Sequence, residues 1–105
     1  PELVLVSAGF DPFIKDPLGG MRVTAAGFGA LASLVRQIAE STCSGKVLLT
    51  LEGGYNPEGL RDGVRAVLNA FTKPHEPITA SGAPAAEEVI RNIISHQKKY
   101  WKSLS

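Results

Sequence analysis

The sequence holds a single cysteine, Cys43, so no internal disulfide forms and the fold does not depend on an oxidising compartment. With no CxxC partner, that thiol reads as structural or idle. Net charge is scarce as well. Eleven Lys and Arg against ten Asp and Glu leave +1 at neutral pH, which gives no reason to expect nucleic acid or an acidic membrane surface as a partner. No apolar run approaches the roughly 18 to 20 residues of a membrane span, and no basic-then-apolar leader is seen before the first strand. Neither GxGxxG nor GKS/T occurs, so the pair Gly53-Gly54 lacks the usual signature of a phosphate-binding turn. Histidine is limited to His75 and His96, which read as surface positions. What remains is balance. A composition of 44% hydrophobic and 20% charged residues over 105 positions suits one globular domain at most, with the cytoplasm as the expected setting.

Leu3 to Ala8 ("LVLVSA") is short, nearly continuous and apolar, the pattern of a strand buried on both faces. Gly9 to Met21, rich in Pro and Gly, reads as a loop. Thr24 is a fitting N-cap for a helix whose inner face carries Phe28, Leu31, Leu34, Val35 and Ile38, and Ser44-Gly45 stops it. Lys46 to Glu52 ("KVLLTLE") reads as a second buried strand. Asn56-Pro57-Glu58 supplies an N-cap, an N1 proline and a first-turn acid for a second helix, with Leu60, Val64, Val67, Leu68 and Phe71 inward. Residues 73–84 have linker composition. Residues 85–105 read as a C-terminal helix with Ile90, Ile93, Ile94, Gln97, Trp101 and Leu104 along one stripe. Tyr100 and Trp101 are expected to dock that helix, and Lys98, Lys99 and Lys102 to form its solvated side.

Strand, helix, strand, helix is the order of parallel strands joined by crossovers. Two such strands alone leave backbone groups and apolar side chains bare. The expectation is therefore an α/β fold of which this chain is the C-terminal portion. The start at Pro1-Glu2, running straight into a strand without an initiator Met, fits that expectation. The expected division is residues 1–72 as the domain portion, 73–84 as linker and 85–105 as the final helix.

Ligands of open parallel sheets gather outside the carboxyl ends of the strands. Asp11 stands just past the first strand, where a carboxylate serves as a hard metal ligand or a general base, or as a cap for the loop. Asp16, in Asp-Pro-Leu-Gly-Gly, is explained by turn chemistry. Tyr55 follows Gly53-Gly54 after the second strand. A phenol there donates a hydrogen bond to a ligand, or to a backbone carbonyl if the ring is buried.

Together, "LVLVSAGFD", "DPLGGMRVT" and "GKVLLTLEGGYN" resemble the C-terminal part of the catalytic domain of the zinc-dependent histone deacetylase family, which includes bacterial acetoin-utilisation and acetylpolyamine deacetylase relatives. "SAGFD" and "LEGGYN" resemble the class II branch; class I members usually show GAD and four glycines. The resemblance covers Pro1 to about Phe71 and implies an arginase/deacetylase-like three-layer α/β/α domain with a parallel sheet. It implies zinc as cofactor, Asp11 as the third zinc ligand and Tyr55 as the catalytic hydroxyl donor. Leu18 matches a residue lining the acyl-lysine tunnel, Gly53 and Gly54 the glycines beside the substrate, and Asp16 an aspartate credited only with shaping its loop. The implied substrate is an acetyl-lysine protein or peptide, or an acetylated small amine. Some polyamine-selective relatives carry glutamate at the Leu18 position, and one branch carries histidine at the Tyr55 position. No DxH or HH pair occurs here, so the other ligands and the acid-base pair are expected from the upstream part of the same domain, and the chain alone is expected to be inactive. Two other classes stay open: a non-catalytic domain keeping this fold for binding, and an unrelated nucleotide-binding α/β domain. The implied compartment is the cytoplasm, or the nucleus in a eukaryote.

Overall fold

A computed structural model of the chain describes residues 1–74 and 82–104. Strand β1, Val4–Ala8, pairs in parallel with β2, Val47–Leu51, in a register that sets Val4 opposite Val47 and Ala8 opposite Leu51. Helix α1, Ala25–Cys43, makes the crossover between them, and α2, Pro57–Thr72, follows β2. Beyond the undescribed residues 75–81 lie α3, Pro84–Gln97, and a single 3-10 turn, Lys102–Leu104. The parallel α/β order expected from the sequence is the order found. His75 and most of the expected linker lie outside the described residues.

The helix ends form where their chemistry dictates. The Thr24 hydroxyl accepts from the Gly27 N–H at 3.1 Å, and α1 terminates with Ser44 at φ 54° and Gly45 at φ 77°. Asn56 Oδ1 accepts from the Gly59 N–H at 2.8 Å, with Pro57 in the first turn of α2. At the far end of α2, Arg36 of α1 reaches across, its Nη1 donating to the carbonyls of Ala70 and Lys73 at 2.9 and 2.7 Å. Ala70 lies in the last turn of α2 and Lys73 is its C-cap, where carbonyls lack a helical donor, so one guanidinium both completes the end of α2 and ties it to α1.

The core is aromatic and sits beyond the strands rather than on them. Phe10, Phe13 and Phe28 are buried together, with Ala8, Val23, Leu60, Val64 and Val67 packed around them. The rings of Phe10 and Phe28 stand 4.9 Å apart, tilted by 55°. Helix α2 receives these rings on its glycines: a Cβ at Gly63 would lie 2.6 Å from Phe10 Cδ1, and one at Gly59 would overlap the Phe13 ring. Gly29 of α1 faces Ala66 of α2, where an added Cβ would meet the Ala66 Cβ at 3.5 Å, an ordinary contact.

Several expected faces differ. Gly59 and Gly63 are the buried residues of α2, while Leu68 is exposed. On α1, Phe28, Ala32, Ala39 and Cys43 are buried and Leu31, Leu34 and Ile38 are exposed. The strands are not covered on both faces: Leu5 is 69% exposed and Leu51 57%. Helix α3 ends at Gln97, where bonding tightens as the Tyr100 N–H turns back to the Gln97 carbonyl at 2.8 Å. It buries no residue, and Trp101, expected to dock it, is 62% exposed. The expected stripe has apolar periodicity but lies against nothing that covers it among the described residues.

Candidate functional site

The loops after β1 and β2 continue the sheet's bonding past its strands. Glu52 N–H donates to the Ala8 carbonyl at 3.1 Å, and Phe10 N–H to the Gly53 carbonyl at 2.8 Å. Asp11 and Gly53 are thereby held face to face. A Cβ built at Gly53 would overlap Asp11 Oδ1, and one at Gly9 would stand 2.8 Å from the same oxygen. The two glycines form a cradle for the carboxylate, the close approach that a side chain would prevent. Asp11 is half-buried, and among the described residues its carboxylate takes no hydrogen bond. Gly54 has φ 135°, and a Cβ there would lie 3.0 Å from Phe10 Cβ and 3.3 Å from Leu60 Cδ1, so glycine is required on both conformational and steric grounds. Tyr55 comes next, 58% exposed, its hydroxyl without a protein partner among the described residues. A core tyrosine satisfied by a carbonyl is therefore not what the chain builds.

The long loop after β1 closes on itself. Ile14 N–H donates to the Val23 carbonyl at 2.9 Å and Val23 N–H to the Pro12 carbonyl at 3.0 Å, a short parallel bridge between Phe13 and Val23. Within it, Asp16 Oδ1 accepts from the N–H groups of Leu18 and Gly19 at 2.9 and 3.1 Å, the turn expected of Asp followed by Pro. Its other oxygen was not legible from that turn: Oδ2 accepts from the Tyr55 N–H at 2.8 Å, across to the second loop. Beside it, Asn56 Nδ2 donates to the Lys15 carbonyl at 3.1 Å. Burial pushes the Asp16 carboxyl up, but the N–H groups of Leu18, Tyr55, Gly19 and Asn56 outweigh it and hold the group below the ordinary carboxylate value. Leu18, carried by this loop, is 71% exposed.

Asp11, Leu18, Gly53, Gly54 and Tyr55 are thus brought to the carboxyl end of the two strands. His96 is not; its ring lies on α3, Nδ1 within 2.8 Å of the Asn92 carbonyl. Cys43 is buried, its thiol donating to the Lys46 carbonyl at 3.3 Å. Among the described residues no three His, Cys, Asp or Glu side chains converge to hold a metal. No described helix is long and apolar enough to cross a membrane.

Comparison with known proteins bears on the family and fold of the chain. The profile of the histone deacetylase domain matches residues 1–71. A rice protein, histone deacetylase 10, chloroplastic, is 42% identical over 71 residues, 68% of this chain and 16% of its own length. Human polyamine deacetylase HDAC10 is 41% identical over 107 residues, 99% of this chain and 15% of its own. The solved structure of the histone deacetylase Clr3 superposes with a TM-score of 0.81 at 29% identity, covering all of this chain and 17% of that one. The chain spans about a sixth of the length of these relatives.

Proposed function

The chain belongs to the histone deacetylase family, and from that membership we propose that it supplies one side of the active site of a zinc-dependent deacetylase hydrolysing the amide of acetyl-lysine. Asp11 is a zinc ligand and Tyr55 a hydrogen-bond donor to the oxyanion that develops as the amide is attacked. The fit to a metal rests on Asp11 itself: a hard oxygen donor, unspent on protein hydrogen bonds among the described residues and seated between Gly9 and Gly53 at the sheet edge. A bound zinc supplies Lewis-acid polarisation of the carbonyl and activation of a water. Tyr55 adds a neutral hydroxyl donor, a contribution whose loss typically costs about 10² to 10³ in rate. Leu18 offers an uncharged contact for the methylene stem of a lysine, and Gly53 and Gly54 keep the floor beside it free of side chains. The other ligands and the acid-base pair belong to the upstream part of the same domain. Residues 1–72 make up this contribution, 73–84 a linker and 85–105 an appended helix.

One observation carries the reading: the Asp11 carboxylate lies against Gly53, two residues before an exposed Tyr55 whose hydroxyl has no protein partner among the described residues, at the carboxyl end of a parallel pair. The test is hydrolysis of an acetyl-lysine peptide by the complete domain containing this chain, beside its Tyr55→Phe variant at equal zinc content. A loss of about 10²-fold or more in the variant is expected. Equal rates remove Tyr55 from catalysis, and an inactive parent with zinc bound points to another acyl substrate or to the binding-domain reading. The likeness to a polyamine deacetylase favours an acetylated polyamine as second substrate class, and the ratio of the two kcat/KM values decides between them. The proposed compartment is the cytoplasm, or the nucleus in a eukaryote; fluorescent tagging of the full-length protein tests it against the chloroplast in the rice relative's name.

A further inference from the structure

Turn chemistry accounts for one oxygen of Asp16 and leaves the other unexplained. Resting on the deacetylase site above, we propose that Asp16 is a positioning residue that couples the apolar wall at Leu18 to the hydroxyl donor at Tyr55. Three backbone N–H groups converge on its two oxygens, those of Leu18 and Gly19 from its own loop and that of Tyr55 from 39 residues away. The coupling is needed because Tyr55 follows two glycines, the second at φ 135°, a stretch with little conformational resistance of its own. The anchoring loop is itself closed by the Phe13 and Val23 bridge, and the Asn56 bond to the Lys15 carbonyl gives a second tie beside the first.

The arrangement also reaches Asp11. Gly19, held by Asp16, packs its Cα so closely against the Asp11 backbone that a Cβ there would overlap the Asp11 carbonyl. One carboxylate therefore restrains the backbone at the wall, at the donor and beside the metal ligand. Only an ionised carboxylate suits this place. Its two oxygens accept and never donate, whereas an asparagine amide directs an NH2 at one or more of the three N–H groups. Bonds to a charged acceptor are also the stronger kind.

The test uses the complete domain with Asp16→Asn, Tyr55→Phe and the double variant. Asp16→Asn is expected to lower kcat by about 10- to 100-fold, the scale of a catalytic group displaced by about an ångström. In the Tyr55→Phe background the same change is expected to cost no more than about 3-fold, because its effect passes through the hydroxyl already removed. Equal losses in both backgrounds overturn the proposal, since a general structural defect does not depend on the Tyr55 hydroxyl. Amide hydrogen exchange supplies a readout independent of activity: protection at Leu18, Gly19 and Tyr55 falls together in Asp16→Asn, and unchanged protection at Tyr55 overturns the coupling. If Asp16→Asn does not fold, Asp16→Glu, which keeps the charge and displaces the oxygens, enters the same cycle. A parent without deacetylase activity defeats the functional reading, while exchange still decides the coupling.

Discussion

At Gly53 the absence of a methyl group decides where the Asp11 carboxylate lies. An added Cβ meets the far end of that side chain, and Gly53 is not among the residues with positive φ, so the fold tolerates Gly53→Ala by turning the carboxylate away. The expected outcome is a thermal midpoint near that of the parent with zinc retention and kcat lowered by about 10²-fold. Equal zinc content and rate in the variant would separate the cradle from function. Asp16 carries a pH signature whose sign follows from its lowered pKa. Its folded value lies below the unfolded one, so its stabilising contribution is complete above the ordinary carboxylate value and disappears only as pH falls through the lower folded value. The Tyr55 amide-proton shift, followed downward from neutrality, is expected to move at a pH below that of an ordinary carboxylate. Asp11 and the Gly53-Gly54-Tyr55 turn were legible as a pair because each follows its own strand and parallel pairing brings strand ends together. The Asp16 bond to Tyr55 was not, since Asp-Pro-Leu-Gly satisfies a local turn by itself and nothing in its spacing points 39 residues onward.

Among the elements, α2 shows why periodicity alone misplaces a contact face. Leu60, Val64 and Val67 do lie against the core as their spacing indicates, but the deepest positions are Gly59 and Gly63, which face rings from the loop after β1 and from α1. A hydrophobic stripe marks what a helix brings to a core; it does not show what the core inserts into the helix. Alanine at position 63 favours the isolated helix by up to about 1 kcal/mol. Its Cβ nevertheless falls 2.6 Å from Phe10 Cδ1 and 3.2 Å from Phe28 Cδ2. Overpacking of this kind costs about 1 to 3 kcal/mol, so Gly63→Ala is expected to destabilise, as read by urea unfolding of the complete domain; a stabilised variant overturns the packing argument. The caps were legible because they are local: Thr24 and Asn56 sit directly before their helices, and each accepts from one orphan N–H, that at N3. The end of α3 was less so, because its apolar spacing continues past Gln97 while the backbone does not.

For the whole molecule, the continuous apolar strands and the stripe on α1 pose one question: what covers them. Leu5, Leu48 and Leu51 on the sheet and Leu31, Leu34 and Ile38 on α1 are all exposed, and a two-stranded sheet is marginal in water. Relatives about six times as long provide for such faces if their remaining sequence packs there. Among the described residues, the packed centre is small: three phenylalanines and their neighbours, with Ala32, Ala39 and Cys43 buried along α1. The same incompleteness applies to the metal. Catalytic zinc takes three protein ligands, and this chain offers one proposed ligand, Asp11, with no metal-binding cluster among its described residues. Folding and metal binding are linked, since a site not preformed must be organised at the expense of binding energy. The 105-residue chain by itself is therefore expected to unfold over a broad range, to bind a hydrophobic dye before heating and to lose its zinc on dialysis against a weak chelator. Supplying the proposed upstream part of the domain as a separate polypeptide is expected to sharpen the transition, reduce dye binding and restore zinc. If the chain alone keeps one zinc per molecule and melts cooperatively, its exposed leucines are a true surface and the proposed shared site is wrong.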